Sequence, residues 1–358
     1  MKVAVAYEAA KPLVVEELAQ PAVGPRDVLV RLSASGICHT DLNVIAGRSA
    51  LPLPIVPGHE GCGIVEEVGK DVRRVRVGDR VLASVSPACG ACWWCLNALS
   101  NHCEKGPSVR TKGRYELRNG KLAPAVCGCG TFAEAMVVDE ASVVAVESSL
   151  PDEQLALLGC GVTTGVGAVF NTAAVTPGSS VLVIGCGGVG QSVIQAARIA
   201  GAVLIIAVDT VAARREAGLR LGATHALDPA VADPVEQVRA LTHGRGTDYG
   251  FGVVGRRALM QQAYEATRME GTVVLVGMPG LGTRLTLPAM SAVFSGKKLV
   301  GSAVGGAQIL RDFPRYIRLA ESGKLGLGSL VSKRISLAQI NHGIELMEAA
   351  DGVRAVIV

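Results

Sequence analysis

Ten cysteines stand in this chain of 358 residues, and their spacing sorts them by chemistry. Cys89-Gly-Ala-Cys92-Trp-Trp-Cys95 is followed by Cys103, so four thiols lie at intervals of two, two and seven residues. Thiolates so spaced can close a tetrahedral site, and a closed four-thiolate site holds zinc for structure rather than for reaction. Iron–sulfur ligation is the competing reading of the same four thiols. Elsewhere Gly36-Ile-Cys38-His39-Thr40-Asp41 offers one thiol. Pro57-Gly58-His59-Glu60 offers a His beside a carboxylate in a glycine-rich turn, and Leu158-Gly-Cys160-Gly another thiol. Each of these is weak alone. Brought together by the fold, Cys38, His59 and Cys160 make a set of two thiolates and one imidazole with a fourth position open, as a catalytic zinc requires. Asp41 is then placed to orient the His59 ring. Cys62, Cys127, Cys129 and Cys186 lack partners at ligand spacing and read as packing thiols, with a pocket wall as the alternative for Cys127 and Cys129.

A second constellation surrounds residues 181–209. The apolar run Val181–Ile184 meets Gly185-Cys-Gly187-Gly188-Val189-Gly190, a helical stretch follows to Ala200, and a second apolar run, Val203–Val208, ends at Asp209. This is a βαβ unit with the G-x-G-x-x-G fingerprint. The first glycine makes the tight turn, the second admits a pyrophosphate, and the third lets helix and strand pack closely. The helix N-terminus offers unpaired N–H groups to the phosphates. Asp209 accepts hydrogen bonds from an adenosine ribose and repels a 2′-phosphate, which favours NAD over NADP.

The elements that must position these groups fall into two patterns. Up to about Val146, short strand candidates (Val3–Tyr7, Val28–Ala34, Gly63–Val68, Arg80–Ser84, Ala133–Val138) are punctuated by Gly, Pro and Asp, a β-rich lobe. From about Gly161, βα alternation predicts strands at Val181–Ile184, Val203–Val208, His225–Leu227, Gly250–Val254, Thr272–Val276 and Lys298–Gly301. Helices include Ala212–Leu221, Pro234–Leu241 and Arg257–Met269, which makes a doubly wound sheet. Two helices, Ile309–Ser322 and Leu337–Ala350, and a short strand, Arg354–Val358, close the chain. Hydrophobic residues make 49% and charged residues 18%, with 44 glycines, a composition of glycine-turned α/β enzymes rather than of disorder. A net charge of +4 without a basic run gives no reason to expect nucleic acid. No apolar run reaches bilayer length, no signal-peptide pattern opens the chain, and closely spaced thiols suit a reducing compartment; the expected location is the cytoplasm.

In combination and order these motifs resemble the zinc-dependent medium-chain alcohol dehydrogenases over essentially the full length. The layout is most similar to the long-lobed dimeric branch that includes class III, the glutathione-dependent formaldehyde dehydrogenases. The resemblance implies an α/β protein with a β-rich GroES-like catalytic domain, residues 1–161 and 303–358, around a Rossmann NAD domain, residues 162–302. It implies two zinc ions per chain, catalytic at Cys38, His59 and Cys160 and structural at Cys89, Cys92, Cys95 and Cys103. Glu60 then matches a carboxylate that can exchange onto the metal, and Thr40 the hydroxyl that takes the alcohol proton. Thr164 and Val189 match residues against the nicotinamide, Arg354 one at the pyrophosphate, and Arg214 a cation beside the adenosine ribose. The implied reaction is reversible oxidation of a primary alcohol to an aldehyde with NAD, in a homodimer, a tetramer being the alternative.

Departures from the family pattern are informative. Asn43 stands where a relay His is common, and His39 where an Arg often faces the pyrophosphate. Residues 104–131 form a shorter segment than in many relatives. An arginine that glutathione-dependent members carry soon after the last lobe cysteine is missing at that spacing, where Ser108 stands and Arg110 lies beyond. Val85, Met278 and Ala303 fall at pocket-lining positions, which leaves room for a medium-chain or benzylic alcohol. Oxidation of a thiol adduct of formaldehyde is the enzymatic alternative, and an NAD-binding redox sensor the non-enzymatic one.

Overall fold

A computed structural model describes residues 1–349 and 352–358. The chain divides into two compact units, residues 1–161 with 307–358, and residues 162–306.

The first unit is built on a seven-stranded sheet. Its path runs Val331–Ile335, Arg354–Ile357, Asp27–Gly36, Glu60–Val68, Arg80–Ala83 and Val143–Ala145, with Ala135–Asp139 also pairing Asp27–Gly36. Register does the positioning. Gly36 pairs Glu60 across an antiparallel ladder, so the segment after the first strand and the turn before the second emerge side by side. Val356 also pairs Gly36, and Ile37 N donates to Ala355 O at 3.0 Å, which sets Arg354 beside Ile37. One apolar cluster under this corner holds Ile37, Leu42, Ile55, Phe132, Ile340 and Ile357, all 8% exposed or less. Burying side chains of this size stabilises a fold by about 1.5–3 kcal/mol each, so the corner is a rigid base.

The second unit is a six-stranded, all-parallel sheet ordered His225–Leu227, Leu204–Val208, Ser180–Ile184, Thr247–Gly252, Thr267–Leu275, Lys298–Gly301. Its central strands carry near-continuous apolar runs because both faces are covered by helices. The order reverses between Ser180–Ile184 and Thr247–Gly252, the switch point where such sheets open a crevice.

Several elements differ from the sequence reading. The helix expected over Arg257–Met269 stops at Ala266, and Thr267 begins a long strand. Thr267 pairs Thr247 there and returns its hydroxyl to Ala263 O at 2.7 Å, so strand pairing overrides the local helical pattern. Gly161–Gly167 is helical and runs into a π-helical stretch, Ala168–Ala173, despite three glycines in the first seven residues. Ala289–Ser295, the strand Val331–Ile335 and the small ladder Gly113–Glu116 with Leu122–Pro124 carry little periodicity and appear only in the structure. The expected Leu337–Ala350 helix begins as a 3-10 turn, Leu337–Gln339, and continues as Ile340–Glu348. Ala350 lies outside the described residues. Among the described residues no single helix is long and apolar enough to cross a membrane.

Candidate metal centres and dinucleotide loop

Asp41 organises the first centre. It sits at the third position of the helix His39–Ile45, whose N-cap is Cys38, and its Oδ2 accepts the Cys38 N–H at 3.1 Å as half of a capping box. Its Oδ1 accepts the Gly58 N–H at 2.9 Å and lies 2.9 Å from His59 Nδ1. Both residues are fully buried, so one carboxylate ties the cap, the preceding turn and the ring together. Cys160 arrives on the 3-10 turn Ala156–Gly159. A Cβ on Gly159 would lie 2.8 Å from Ala83 O and 3.2 Å from Glu60 Cα, so only glycine lets this turn come so close to the strand. The ligand atoms of Cys38, His59, Glu60 and Cys160 all fall within 4.8 Å of one another.

These residues fit a metal. His59 Nε2 is buried without a hydrogen-bond partner, and an orphaned ring nitrogen at such a site asks for a ligand. Asp41 on Nδ1 fixes the tautomer that leaves Nε2 as the ligating atom. Burial disfavours charge on His59, but Asp41 and Cys160 outweigh it and hold the ring's pKa well above the ordinary value. The hydrogen bond from Cys160, helped by Arg354, holds Cys38 well below the usual thiol range, while Cys160 rises by donating it. Zinc arriving here must displace the remaining protons. Glu60 is pushed up to about 7 by burial, against the pull of Arg354. Its Oε1 accepts from Gly161 N at 2.9 Å and lies 3.2 Å from Arg354 Nη2, while Oε2 has no partner. Arg354, implied at a pyrophosphate, is 4% exposed and also donates to Ile37 O at 2.9 Å. It supports Glu60 from behind, a contact the sequence does not disclose because 294 positions separate the two. Thr40 is half-buried with its hydroxyl 3.9 Å from Cys38 Sγ; Asn43 is half-buried and His39 exposed on the same short helix.

The second centre is the Cys89, Cys92, Cys95, Cys103 lobe, its sulfurs again within 4.8 Å of one another. Cys89 and Cys95 lie 4.0 Å apart, Cys92 and Cys103 3.9 Å. A tetrahedron with metal–sulfur bonds of about 2.3 Å has edges of about 3.8 Å, so the cage is already near its metal-bound size. Backbone N–H groups of Ala91 and Cys92 point at Cys89 Sγ (3.4 and 3.3 Å), and Cys92 is pulled down to about 6 by the backbone donors of Cys95 and Glu104. Trp93 and Trp94 form an edge-to-face pair 4.9 Å apart on the intervening turn, and both remain substantially exposed. Cys62, Cys129 and Cys186 are buried thiols; Cys62 Sγ lies 3.4 Å from Asp152 Oδ1, and the other two face backbone carbonyls. Cys127 stands out by its backbone (φ 55°) and by feeling the charges of His59, Asp41, Arg110 and Cys38, after the burial that raises it. Val85 is buried in this unit.

In the second unit the glycine loop opens the helix Gly188–Ile199. A Cβ on Gly190 would sit 1.9 Å from Gly185 O, so the tight turn excludes any other residue. At Gly187 a Cβ would meet nothing within 4 Å, an open cradle at a helix N-terminus that fits a phosphate. Asp209 lies at the end of Leu204–Val208; its Oδ2 accepts from Cys186 N (2.7 Å) and its Oδ1 from Val211 N (2.9 Å). Each oxygen keeps a lone pair for a ribose hydroxyl. Arg214 is half-buried with its Nε unpartnered, whereas the neighbouring Arg215 donates to Asp209 O at 2.8 Å and pairs Asp228 at 2.7 Å. Thr164 and Val189 are half-buried in this unit, and Met278 is 64% exposed. Sequence reasoning missed Arg215 and Gln191. No motif flags them, because the contacts that tie them to the site are to backbone carbonyls, the Asp228 ion pair of Arg215 lying outside it.

A β-rich unit with two thiol-based metal sites and a doubly wound unit with an acid-closed glycine loop define a class, the metal-dependent dinucleotide oxidoreductases. Residues 24–148 match the alcohol dehydrogenase GroES-like domain, and residues 188–322 the zinc-binding dehydrogenase domain. An S-(hydroxymethyl)glutathione dehydrogenase of Synechocystis is 38% identical, covering 99% of each chain. An NDMA-dependent alcohol dehydrogenase of Amycolatopsis methanolica is 37% identical, covering 99% of this chain and 98% of its own. Among solved structures, benzyl alcohol dehydrogenase from Acinetobacter calcoaceticus superposes with a TM-score of 0.93 at 31% identity, over 99% of this chain and 98% of the other. The chain belongs to the zinc-binding alcohol dehydrogenase family. It is an oxidoreductase that uses zinc and a nicotinamide dinucleotide.

Proposed function

We propose that this enzyme reversibly oxidises a primary alcohol, medium-chain or benzylic, to the aldehyde, with NAD as hydride acceptor. The observation that carries this reading is the buried Cys38, His59, Cys160 cluster with His59 Nε2 unpartnered. Three protein ligands leave a position for substrate. Zinc there supplies Lewis acidity to an alcohol oxygen, and the nicotinamide supplies the hydride acceptor. The chain does the rest. Asp41 holds the His59 ring in one tautomer and orientation, and Arg354 steadies Glu60 with Oε2 free to face the metal. The Thr40 hydroxyl, at the N-terminal turn of its helix, takes the alcohol proton. Asn43 offers a hydrogen bond but no titrating base, so the proton leaves through water. Asp209 accepts from the adenosine ribose and opposes a 2′-phosphate by like charge. Cys89, Cys92, Cys95 and Cys103 hold the structural zinc.

Two further features support a homodimer. The strand Lys298–Gly301 pairs on one side only, leaving a sheet edge that templates pairing. Met290, Val293 and Phe294, all on the helix Ala289–Ser295 of the same unit, are 70%, 75% and 69% exposed, large apolar side chains that suit an interface. The closely spaced free thiols support a cytoplasmic location. A second reading, oxidation of a formaldehyde–thiol adduct, draws on Arg110 and on the Synechocystis relative. Arg110 acts electrostatically on Cys127 while its Nε donates to Gly106 O at 3.2 Å, which places a cation for an anionic substrate tail to meet.

The test is a turnover screen of primary alcohols with NAD and with NADP, repeated with formaldehyde plus glutathione, beside metal analysis. Two zinc ions per chain and an NAD preference of at least about tenfold, or about 1.4 kcal/mol, are expected. One zinc per chain, bound iron, or equal efficiency with both cofactors overturns the corresponding part. Thiol-dependent formaldehyde oxidation that outpaces every alcohol moves the reading to the second.

A further inference from the structure

Gln191 follows the last glycine of the loop and is completely buried on the helix Gly188–Ile199. Its side-chain amide donates to Cys186 O and to Arg214 O, each at 2.9 Å. Two carbonyl partners require the NH2 end, so the amide's orientation is set by chemistry. Its Oε1 is left buried without a partner. The two carbonyls belong to the segments that flank Asp209: Cys186 N donates to one carboxylate oxygen and Val211 N, just before the helix Ala212–Leu221 that carries Arg214, to the other. A closed ring results, from the loop at Cys186 through the Asp209 carboxylate to Val211 and Arg214, and back through Gln191. Arg215 adds a strut from the same helix to Asp209 O.

We propose that Gln191 is a positioning residue for the adenosine end of the dinucleotide site: by holding Cys186 O and Arg214 O on one amide, it fixes where Asp209 presents its carboxylate and thereby sets the preference for NAD over NADP. This rests on the NAD reading above. Without the clamp, the buried Cys186 O loses its donor, Arg214 O keeps only its helical one, and the helix carrying Arg214 can move away from the loop. The carboxylate then meets the ribose hydroxyls less well, while its repulsion of a 2′-phosphate weakens. Affinity for NADH falls and discrimination falls with it.

The experiment is calorimetric titration of the zinc-loaded enzyme and its variants with NADH, NADPH and ADP-ribose. Gln191→Met keeps the bulk and removes both donors. It should raise Kd for NADH and for ADP-ribose about tenfold, about 1.4 kcal/mol, and Kd for NADPH less than about threefold, so the NADPH/NADH ratio of dissociation constants drops. Arg214→Ala keeps the carbonyl, and so the clamp, but removes the cation; it should raise that ratio instead. Gln191→Leu, smaller and equally without donors, replaces the methionine variant if circular dichroism shows the latter misfolded. A ratio unchanged in folded Gln191→Met overturns the proposal. So does a fall of the ratio in Arg214→Ala, which would mean that any disturbance of this helix loosens the site. A wild-type enzyme that binds none of the three ligands overturns the NAD reading itself, a separate result.

Discussion

Replacing Asp41 by Asn changes one oxygen to a nitrogen and should unsettle the catalytic metal site more than any surface change. Three donors converge on the native carboxylate: Cys38 N at 3.1 Å on Oδ2, and Gly58 N and His59 Nδ1, each at 2.9 Å, on Oδ1. An amide has one acceptor end. Set toward His59 and Gly58, its NH2 meets the Cys38 N–H; set toward Cys38, it meets the other two. Either way a buried donor is left facing a donor, at a cost of about 1–3 kcal/mol. The hydrogen bond that remains loses the charge assistance that roughly doubles its strength. Loss of a partner behind a metal-binding His lowers metal affinity about 10–100-fold, which corresponds to about 1.4–2.7 kcal/mol. Chelator competition with zinc counted per chain measures this directly. The Cys89, Cys92, Cys95, Cys103 site is the internal standard, because none of its ligands touches Asp41. Zinc at the open site should leave at lower chelator concentration, with the closed site unmoved. Wild-type affinity at the open site, in a variant with a native circular dichroism spectrum, would refute the role given to Asp41.

Three other predictions concern separate parts of the chain. Gly187→Ala should fold normally, since its Cβ meets no protein atom within 4 Å, yet weaken NADH binding at least about tenfold by filling the phosphate cradle; fluorescence titration reads it, and native affinity would show that no phosphate lies there. Asp27 is raised by burial but lowered more by Lys112 and Arg114, and ends below the usual carboxylate range. Its stabilising contribution is therefore present above the unfolded pKa of about 4 and lost as pH falls through the lower folded value. Asp27→Asn should cost about 3 kcal/mol at pH 7 by stranding the buried Arg114 charge, with the gap to wild type narrowing in acid; urea melts at pH 7 and pH 3 that give equal gaps would contradict this. Asn43→His should speed the hydride-transfer burst near pH 7, where a relay base helps most, and much less at pH 9; stopped-flow bursts identical at pH 7 would remove the relay argument.

The chemistry in this sequence was legible where it depends on residue type at fixed spacing. The four lobe thiols, the glycine loop and Asp209 are read locally, and the structure brings the thiols within a metal's reach. Cys38, His59 and Cys160 needed the inference that distant segments meet, which antiparallel register at Gly36 and Glu60 accomplishes for the first two and the close approach of Gly159 for the third. What stayed hidden depends on pairing across the chain. Arg354 behind Glu60 is a consequence of the C-terminal strand joining at Gly36. Thr267 belongs to a strand because Thr247 is opposite it, whatever the helical pattern leading up to it suggests. Gln191 and Arg215 act on carbonyls, which leave no trace in residue identity.

Both tryptophans of the chain, Trp93 and Trp94, stand on the turn inside the thiol lobe. Intrinsic indole emission from this protein therefore carries no signal from either sheet. It reports one small loop that has few buried side chains and four thiols within a metal's reach. With a metal held by those thiols, an optical melting curve would record its release from the lobe, and a curve of backbone ellipticity the sheets coming apart. With chelator present the two midpoints should separate, and a stability assigned from emission alone would describe the loop while being mistaken for the enzyme.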